Sequence, residues 1–289
     1  MFLIVGGESE IGGAVRRHLA DAGLAATATT RRRELVAADR PLLDLSHAPG
    51  DWPVPPGTEA ACICAAVARV ADCAADPIGS ARINVEHSVA LIERLVARGI
   101  HVLYLSTNQV FDGSSPHVVP EAPTSPVSAY GRQKARTEAA LLAHLQRGAP
   151  VAILRLSKVV SPGIDLLRGW AEALGAGRRI RAFADMMMAP VPIDLVAAAI
   201  DGLLRARAGG VYQLSGPEDV SYVEIGRHIA DRIGAPAALV EPVTAASAGM
   251  QEGSTPRHTT LDSARLGERF GIRVPPAWAV LDAALGLGS

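Results

Sequence analysis

Apolar residues arrive along the first half of the chain in short runs: "FLIVG" from Phe2, "LAATAT" from Leu24, "PLLDL" from Pro41, "AACICAA" from Ala60, "HVLYLS" from His101 and "VAILRLS" from Val151. Such runs, with little polar alternation, are the pattern of strands covered on both faces by helices, as in a parallel sheet. Helical spacing separates them, over about Ile11 to Ala22, about Pro77 to Arg98, and again from Tyr130. This β-α-β rhythm predicts an α/β fold with a doubly wound parallel sheet. After Leu156 the rhythm loosens through "SKVVSPG", "GAGRRIRAFADMMMAP" and "EPVTAASAGMQEGSTP". The apolar run "GVYQLSG", near Gly210 to Gly216, reads as a strand rejoining the main sheet. The division expected is a main domain over 1–157 and a smaller, interleaved C-terminal lobe over 158–289, with the segment at about 192–216 returning to the sheet.

Composition narrows the classes. In 289 residues, 49% are hydrophobic and 20% charged, which suits a packed globular chain with a sizeable core. The formal net charge of −1 leaves no footprint for nucleic acid or an acidic membrane surface. No apolar stretch reaches the roughly 18 residues of a membrane span. "MFLIVGG" lacks the basic segment of a secretory signal, so a cytoplasmic protein is expected. Cys62 and Cys64 form a C-x-C pair in an apolar run; the expectation is that they point opposite ways and, with Cys73, are buried free thiols. His87 and His101 lack metal-ligand spacing and read as satisfied structural histidines, so no metal site is expected.

The first apolar run leads into "VGGESEIGGAV", where Gly6 and Gly12 bracket a strand-to-helix turn. Such a turn lets backbone N–H groups and a helix N-terminus approach a pyrophosphate, which marks Gly6, Ser9, Glu10, Ile11 and Gly12 as cofactor-binding positions in a Rossmann-type domain. The spacing is G-x-x-G-x-x-G with Ser9 in place of the middle glycine, and a serine there is strained if its φ is positive. The second strand ends at "TATTRRREL". An NAD site usually supplies a carboxylate here for the ribose hydroxyls; Arg31 and Arg32 suit a 2′-phosphate instead, favouring NADP(H) over NAD(H).

In "SAYGRQKARTEAALL", Tyr130 and Lys134 lie four residues apart, so a helix places them on one face, where a cation favours the phenolate. About twenty residues earlier stands "LSTNQVFDG", and the approach to the helix reads "PEAPTSP". Together these segments resemble the extended short-chain dehydrogenase/reductase family, most closely its dTDP-4-dehydrorhamnose reductase branch. The likeness continues in order through "AAVARVADCAADP", "NVEHS", "AILRLS", "GVYQLSGPEDVSYVEIGRHIA" and "TPRHTTLDSARL".

The resemblance implies Thr107 as the hydroxyl that bonds the substrate oxygen, Tyr130 as acid or base, and Lys134 as its electrostatic partner and ribose ligand. It implies Asp44 and Leu45 near the adenine and Ala65 and Ala66 beside the cofactor. The activity implied is NADP(H)-dependent reduction of a keto group on a nucleotide-activated sugar. The alternatives are a sugar-nucleotide epimerase with retained NAD, and a non-catalytic NADP-binding regulatory subunit. A homodimer is implied by analogy. Asn108, Gln109 and Lys158 depart from the branch's pattern at positions expected to face the substrate, and Asn108-Gln109 cannot supply the ionisable pair of a dehydratase. Arg178, Arg179, Arg181 and Arg257 are candidates for a substrate diphosphate, Asn84 for support of the site, Met186 to Met188 for gap-filling packing, and Trp278 for a core or interface anchor.

Overall fold

The computed structural model describes residues 1–249 and 255–286. The first half builds β1 (Phe2–Val5), α1 (Glu10–Asp21), β2 (Ala26–Ala28), β3 (Ala60–Ile63), the short helices α2 (Val70–Ala75) and α3 (Pro77–Ala81), α4 (Ser88–Val96), β4 (His101–Thr107), α5 (Ala129–Gln146) and β5 (Val151–Leu156). The second half adds β6 (Lys158–Val160), α6 (Asp165–Gly175), β7 (Ile180–Phe183), β8 (Met187–Met188), β9 (Pro190–Pro192), α7 (Ile193–Arg205), β10 (Gly210–Leu214), β11 (Val220–Ser221), α8 (Tyr222–Arg232), β12 (Val240–Val243), α9 (Ala264–Phe270) and α10 (Ala277–Leu285).

Six strands form one parallel sheet in the order β2-β1-β3-β4-β5-β10. Their apolar runs are buried because helices cover both faces: α1 and α7 pack on one side, α4 and α5 on the other. The chain runs from β1 outward to β2, then crosses to β3 on the other side of β1. That reversal opens a crevice at the carboxyl ends of β1 and β3, where open α/β sheets take their ligands. The run near Gly210 is the edge strand β10, with Val211 opposite Ile153 and Leu214 opposite Leu156.

Three sequence expectations need correction. "PLLDL" forms no strand; it runs alongside the end of β2 through Thr30 N–H to Pro41 O at 3.0 Å and Leu43 N–H to Thr30 O at 2.8 Å. Pro41 has no N–H to give, and Asp44 Oδ1 turns the chain by accepting from Ser46 N–H at 2.9 Å, so the ladder stops. The helix expected over Pro77 to Arg98 is α3 and α4 joined by a π-helical turn, Arg82–His87. Within that turn Asn84 bonds outward, its amide clamping both backbone groups of Val67 at 2.8 and 2.9 Å. Third, the sulfurs of Cys62 and Cys64 lie 3.5 Å apart rather than opposed, because residues i and i+2 of a strand share a face.

The smaller lobe has its own core, where α6, α8 and α10 pack with β7 and β12. Met188 is buried there and Met186 and Met187 are half-buried. Trp278 stacks on His228 with ring centroids 4.8 Å apart. A buried polar network joins the late segments to the sheet. Arg155 makes a forked pair with Glu138, the shortest contact 2.7 Å, and also reaches Pro120 O and Gln213 Oε1. The amide of Gln213 donates in turn to Val118 O and Asp262 O. No helix among the described residues is long and apolar enough to cross a membrane.

Candidate active site

The glycine turn sits at the switch point. Gly6 has φ +85°, and a Cβ there would stand 2.8 Å from the backbone of Ala65, so β1 and the segment after β3 meet as bare backbone. Ser9 adopts φ −66° and caps α1, its Oγ accepting from Gly12 N–H at 3.1 Å and donating to Gly6 O at 2.8 Å. The feared strain is absent: serine serves as an N-cap where the spacing suggested a third glycine. Glu10 and Ile11 carry the first two N–H groups of α1, which have no acceptor inside a helix. These open donors, the helix dipole and the lack of a side chain at Gly6 fit a dinucleotide pyrophosphate.

A cavity of about 610 Å³ opens over this turn, bounded by Gly7, Ser9, Gly13, Ser161 and Asp194 among others. Four arginines line it: Arg16, Arg17, Arg32 and Arg40. Ser161, from the segment after β6, donates to the carboxylate of Glu10, tying the smaller lobe to the first turn of α1. Arg32 reaches the cavity as expected, but it is paired with Glu8. Arg31 is exposed and sits near Asp44, whose carboxyl is held below its usual range chiefly by the Ser46 N–H and to a small degree by Arg31. Asp44 lies outside the lining of this cavity, and Leu45 is core; the Leu45 carbonyl accepts from His87 Nδ1–H at 2.8 Å.

Thr107 ends β4, where its Oγ1 accepts from Gln109 N–H at 3.2 Å and caps the short 3-10 turn Asn108–Val110. That turn is locked to the start of α5: Ser128 Oγ donates to Gln109 Oε1 at 3.0 Å while capping the helix through Gly131 N–H at 2.9 Å. Gln109, half-buried, thus braces the turn against α5 through its Oε1. Asn108 accepts from the Thr107 hydroxyl at 3.3 Å. From one helical turn further on, Lys134 reaches back to β4, its Nζ 2.8 Å from Leu105 O and 4.5 Å from the centroid of Tyr104. Gln133 fastens the same helix to Asn84 at 2.7 Å and to Ser80 at 2.8 Å, so Asn84 supports the site's framework.

Lys134 lies 5.9 Å from the centroid of the Tyr130 ring, so helix α5 does bring the pair together. The electrostatics differ from the simple expectation of a depressed phenol. Burial raises the Tyr130 pKa above its ordinary value, with a smaller contribution from Cys73. Burial also pushes Lys134 down to about 8, against the opposing pull of Glu138, Cys64 and Cys73. At neutral pH the phenol keeps its proton and the ammonium keeps its charge.

Among the other residues singled out, Lys158, Arg178, Arg179, Arg181 and Arg257 are exposed. His101 is not a satisfied histidine: it is buried, neither ring nitrogen has a partner among the described residues, and burial pushes its pKa down to about 4. Glu8 and Arg40 were not anticipated. Glu8 could have been suspected as an acid inside the glycine turn; Arg40, in "ADRPLL", carries no periodic or motif signal.

A doubly wound sheet with this turn at its switch point, and a helix that sets Tyr130 beside Lys134 and anchors Lys134 on β4, is of the extended short-chain dehydrogenase/reductase type. Within that class the chain belongs to the RmlD substrate binding domain family, which matches residues 1–285. It is 28% identical over 225 residues to a dTDP-4-dehydrorhamnose reductase of Sinorhizobium fredii, covering 73% of this chain and 74% of that one. It is also 27% identical over 214 residues to methionine adenosyltransferase 2 subunit beta of Bos taurus, covering 68% of this chain and 60% of that one. Among solved structures, dTDP-4-dehydrorhamnose reductase of Bacillus anthracis in complex with NADP superimposes with a TM-score of 0.80 at 18% identity, covering 98% and 97% of the two chains. Other structures of this fold hold NAD.

Proposed function

We propose that this protein reduces a ketone on a nucleotide-activated sugar, with NADPH preferred to NADH. Residues 1–157, joined by 192–216, hold the dinucleotide, and the rest of the chain holds the sugar nucleotide. The observation that supports the reading is the pairing of Tyr130 and Lys134 on one helix, with Lys134 anchored on the strand that ends in Thr107. A bound nicotinamide supplies the hydride.

The residues of the chain manage the proton. Tyr130, kept protonated by burial, gives its hydroxyl proton to the ketone oxygen. Thr107 steadies that oxygen, exchanging its 3.3 Å bond to Asn108 for one to the substrate. The Lys134 ammonium offsets the charge left on the phenolate, and its anchor on Leu105 O fixes where that charge acts. The paired carboxylates of a glycosidase or the ligand cluster of a metalloenzyme play no part in this scheme.

Likeness to methionine adenosyltransferase 2 subunit beta, together with the bracing role of Gln109, favours one further reading, a dinucleotide-binding subunit without turnover. Purified protein given NADPH and a panel of 4-keto sugar nucleotides separates the two. NADPH oxidation that falls by about 10²–10⁴-fold in Tyr130→Phe, with cofactor binding unchanged, is the result expected of the reductase. Tight NADPH binding with no oxidation on any ketosugar would support the subunit.

A further inference from the structure

The four guanidinium groups over the glycine turn are not equivalent. Arg32 is already engaged: its Nε and Nη2 each lie 3.1 Å from Glu8 Oε1, and the same oxygen accepts from Thr30 Oγ1 at 2.9 Å. A phosphate arriving at the end of β2 meets that carboxylate along with the guanidinium, and the like charges repel. Arg17 is exposed and Arg16 half-buried on the second turn of α1.

Arg40 differs from all three. Its neighbours hold it beside the end of β2, through Ala28 N–H to Asp39 O at 3.0 Å and Thr30 N–H to Pro41 O at 3.0 Å. Arg40 itself exchanges two backbone bonds with Ala37, at 2.9 and 3.1 Å. Its Nε is buried and has no acceptor among the described residues. A buried guanidinium donor is costly unless some group satisfies it, and the residue that carries this one lines a cavity open to a ligand.

We propose that Arg40 is the cofactor-selecting residue, the guanidinium that meets the 2′-phosphate of NADP(H), while Glu8 holds Arg32 out of that role. The assignment rests on the reading of the chain as an NADP(H)-dependent reductase. A phosphate monoester presents three acceptor oxygens and at least one full negative charge near neutral pH, which a planar guanidinium binds through forked, charge-assisted bonds. NAD(H) offers a neutral hydroxyl at the same place. With the backbone of Arg40 already fixed beside β2, only the side chain is left to be ordered when the phosphate arrives.

Dissociation constants for NADPH and NADH, measured by fluorescence titration, test the assignment in wild type, Arg40→Gln, Arg40→Lys, Arg32→Gln and Glu8→Gln. The wild type is expected to prefer NADPH about tenfold or more. Arg40→Gln should weaken NADPH about 10–100-fold and leave NADH within about twofold, which also certifies the fold. Arg40→Lys, keeping the charge without the fork, should fall between. Arg32→Gln should change NADPH by less than about threefold, and Glu8→Gln should tighten it by releasing Arg32. A wild-type preference for NADPH that survives Arg40→Gln but is lost in Arg32→Gln overturns the assignment and leaves the reductase reading standing. Equal wild-type affinity for the two cofactors overturns the assignment together with the NADPH preference on which it rests.

Discussion

The α carbon of Gly131 packs directly on the backbone carbonyl of Gln109, so closely that a methyl group at residue 131 would overlap the oxygen. Residue 131 follows Tyr130, and residue 109 lies two places beyond Thr107. One backbone contact thus sets the spacing between the hydroxyl-bearing end of β4 and the phenol-bearing start of α5, and the Ser128–Gln109 bond reinforces it.

Gly131→Ala should force this joint open. A displacement on the order of 1 Å at a catalytic group costs about 10²-fold in rate, so kcat is expected to fall by that order while NADPH affinity changes far less. Steady-state kinetics beside cofactor titration measure the two quantities, and a variant with wild-type kcat would show that the contact does not govern the geometry.

His101 opens β4 with a buried ring whose nitrogens have no hydrogen-bond partner among the described residues. Its folded pKa of about 4 lies below the ordinary value of 6.5, chiefly through burial and in lesser part through Arg207. Above pH 6.5 the ring is neutral in both states and folding bears no protonation penalty. As pH falls from 6.5 towards 4, the unfolded chain takes up a proton that the folded one refuses, and stability drops by roughly 2–3 kcal/mol before levelling off. Urea unfolding at pH 7 and pH 4.5 should show this loss in the wild type and much less of it in His101→Phe. Equal slopes in the two proteins would remove His101 as the cause.

Glu138 and Arg155 are both almost fully inaccessible, 1% and 2% exposed. Removing one partner strands the other charge, so Glu138→Ala is expected to cost about 3–5 kcal/mol in urea unfolding. The loss should exceed that of Gln213→Ala, which takes away one neutral acceptor from Arg155 and leaves the charge pair intact. The reverse ranking would mean that the amide, not the carboxylate, carries the network.

Much of the frame was legible because it depends on local pattern. β1, β3, β4 and β5 announce themselves as apolar runs buried on two faces, and Gly6 with Ser9 and Gly12 marks the first turn whatever the rest of the chain does. The Tyr130–Lys134 spacing was legible for the same reason, since a helix alone fixes it. What escaped depends on distant partners or on a detail of strand geometry. "PLLDL" has strand composition, but Pro41 breaks its ladder. Cys62 and Cys64 meet because a strand repeats every two residues, a rule that opposes the expectation first placed on them. The rise in the Tyr130 pKa comes from burial by residues far away in sequence, and the importance of Glu8 and Arg40 emerges only when the end of β2 is folded against the glycine turn.

Gln213 has a temporal consequence as well as a spatial one. Arg155 leaves the ribosome well before the amide that completes its shell, 58 residues later in the chain. At about 5–20 residues per second that interval lasts roughly 3–12 seconds. A sheet formed within that interval would carry β5 as an uncovered edge with a charged group beside it, until the later strand closes it.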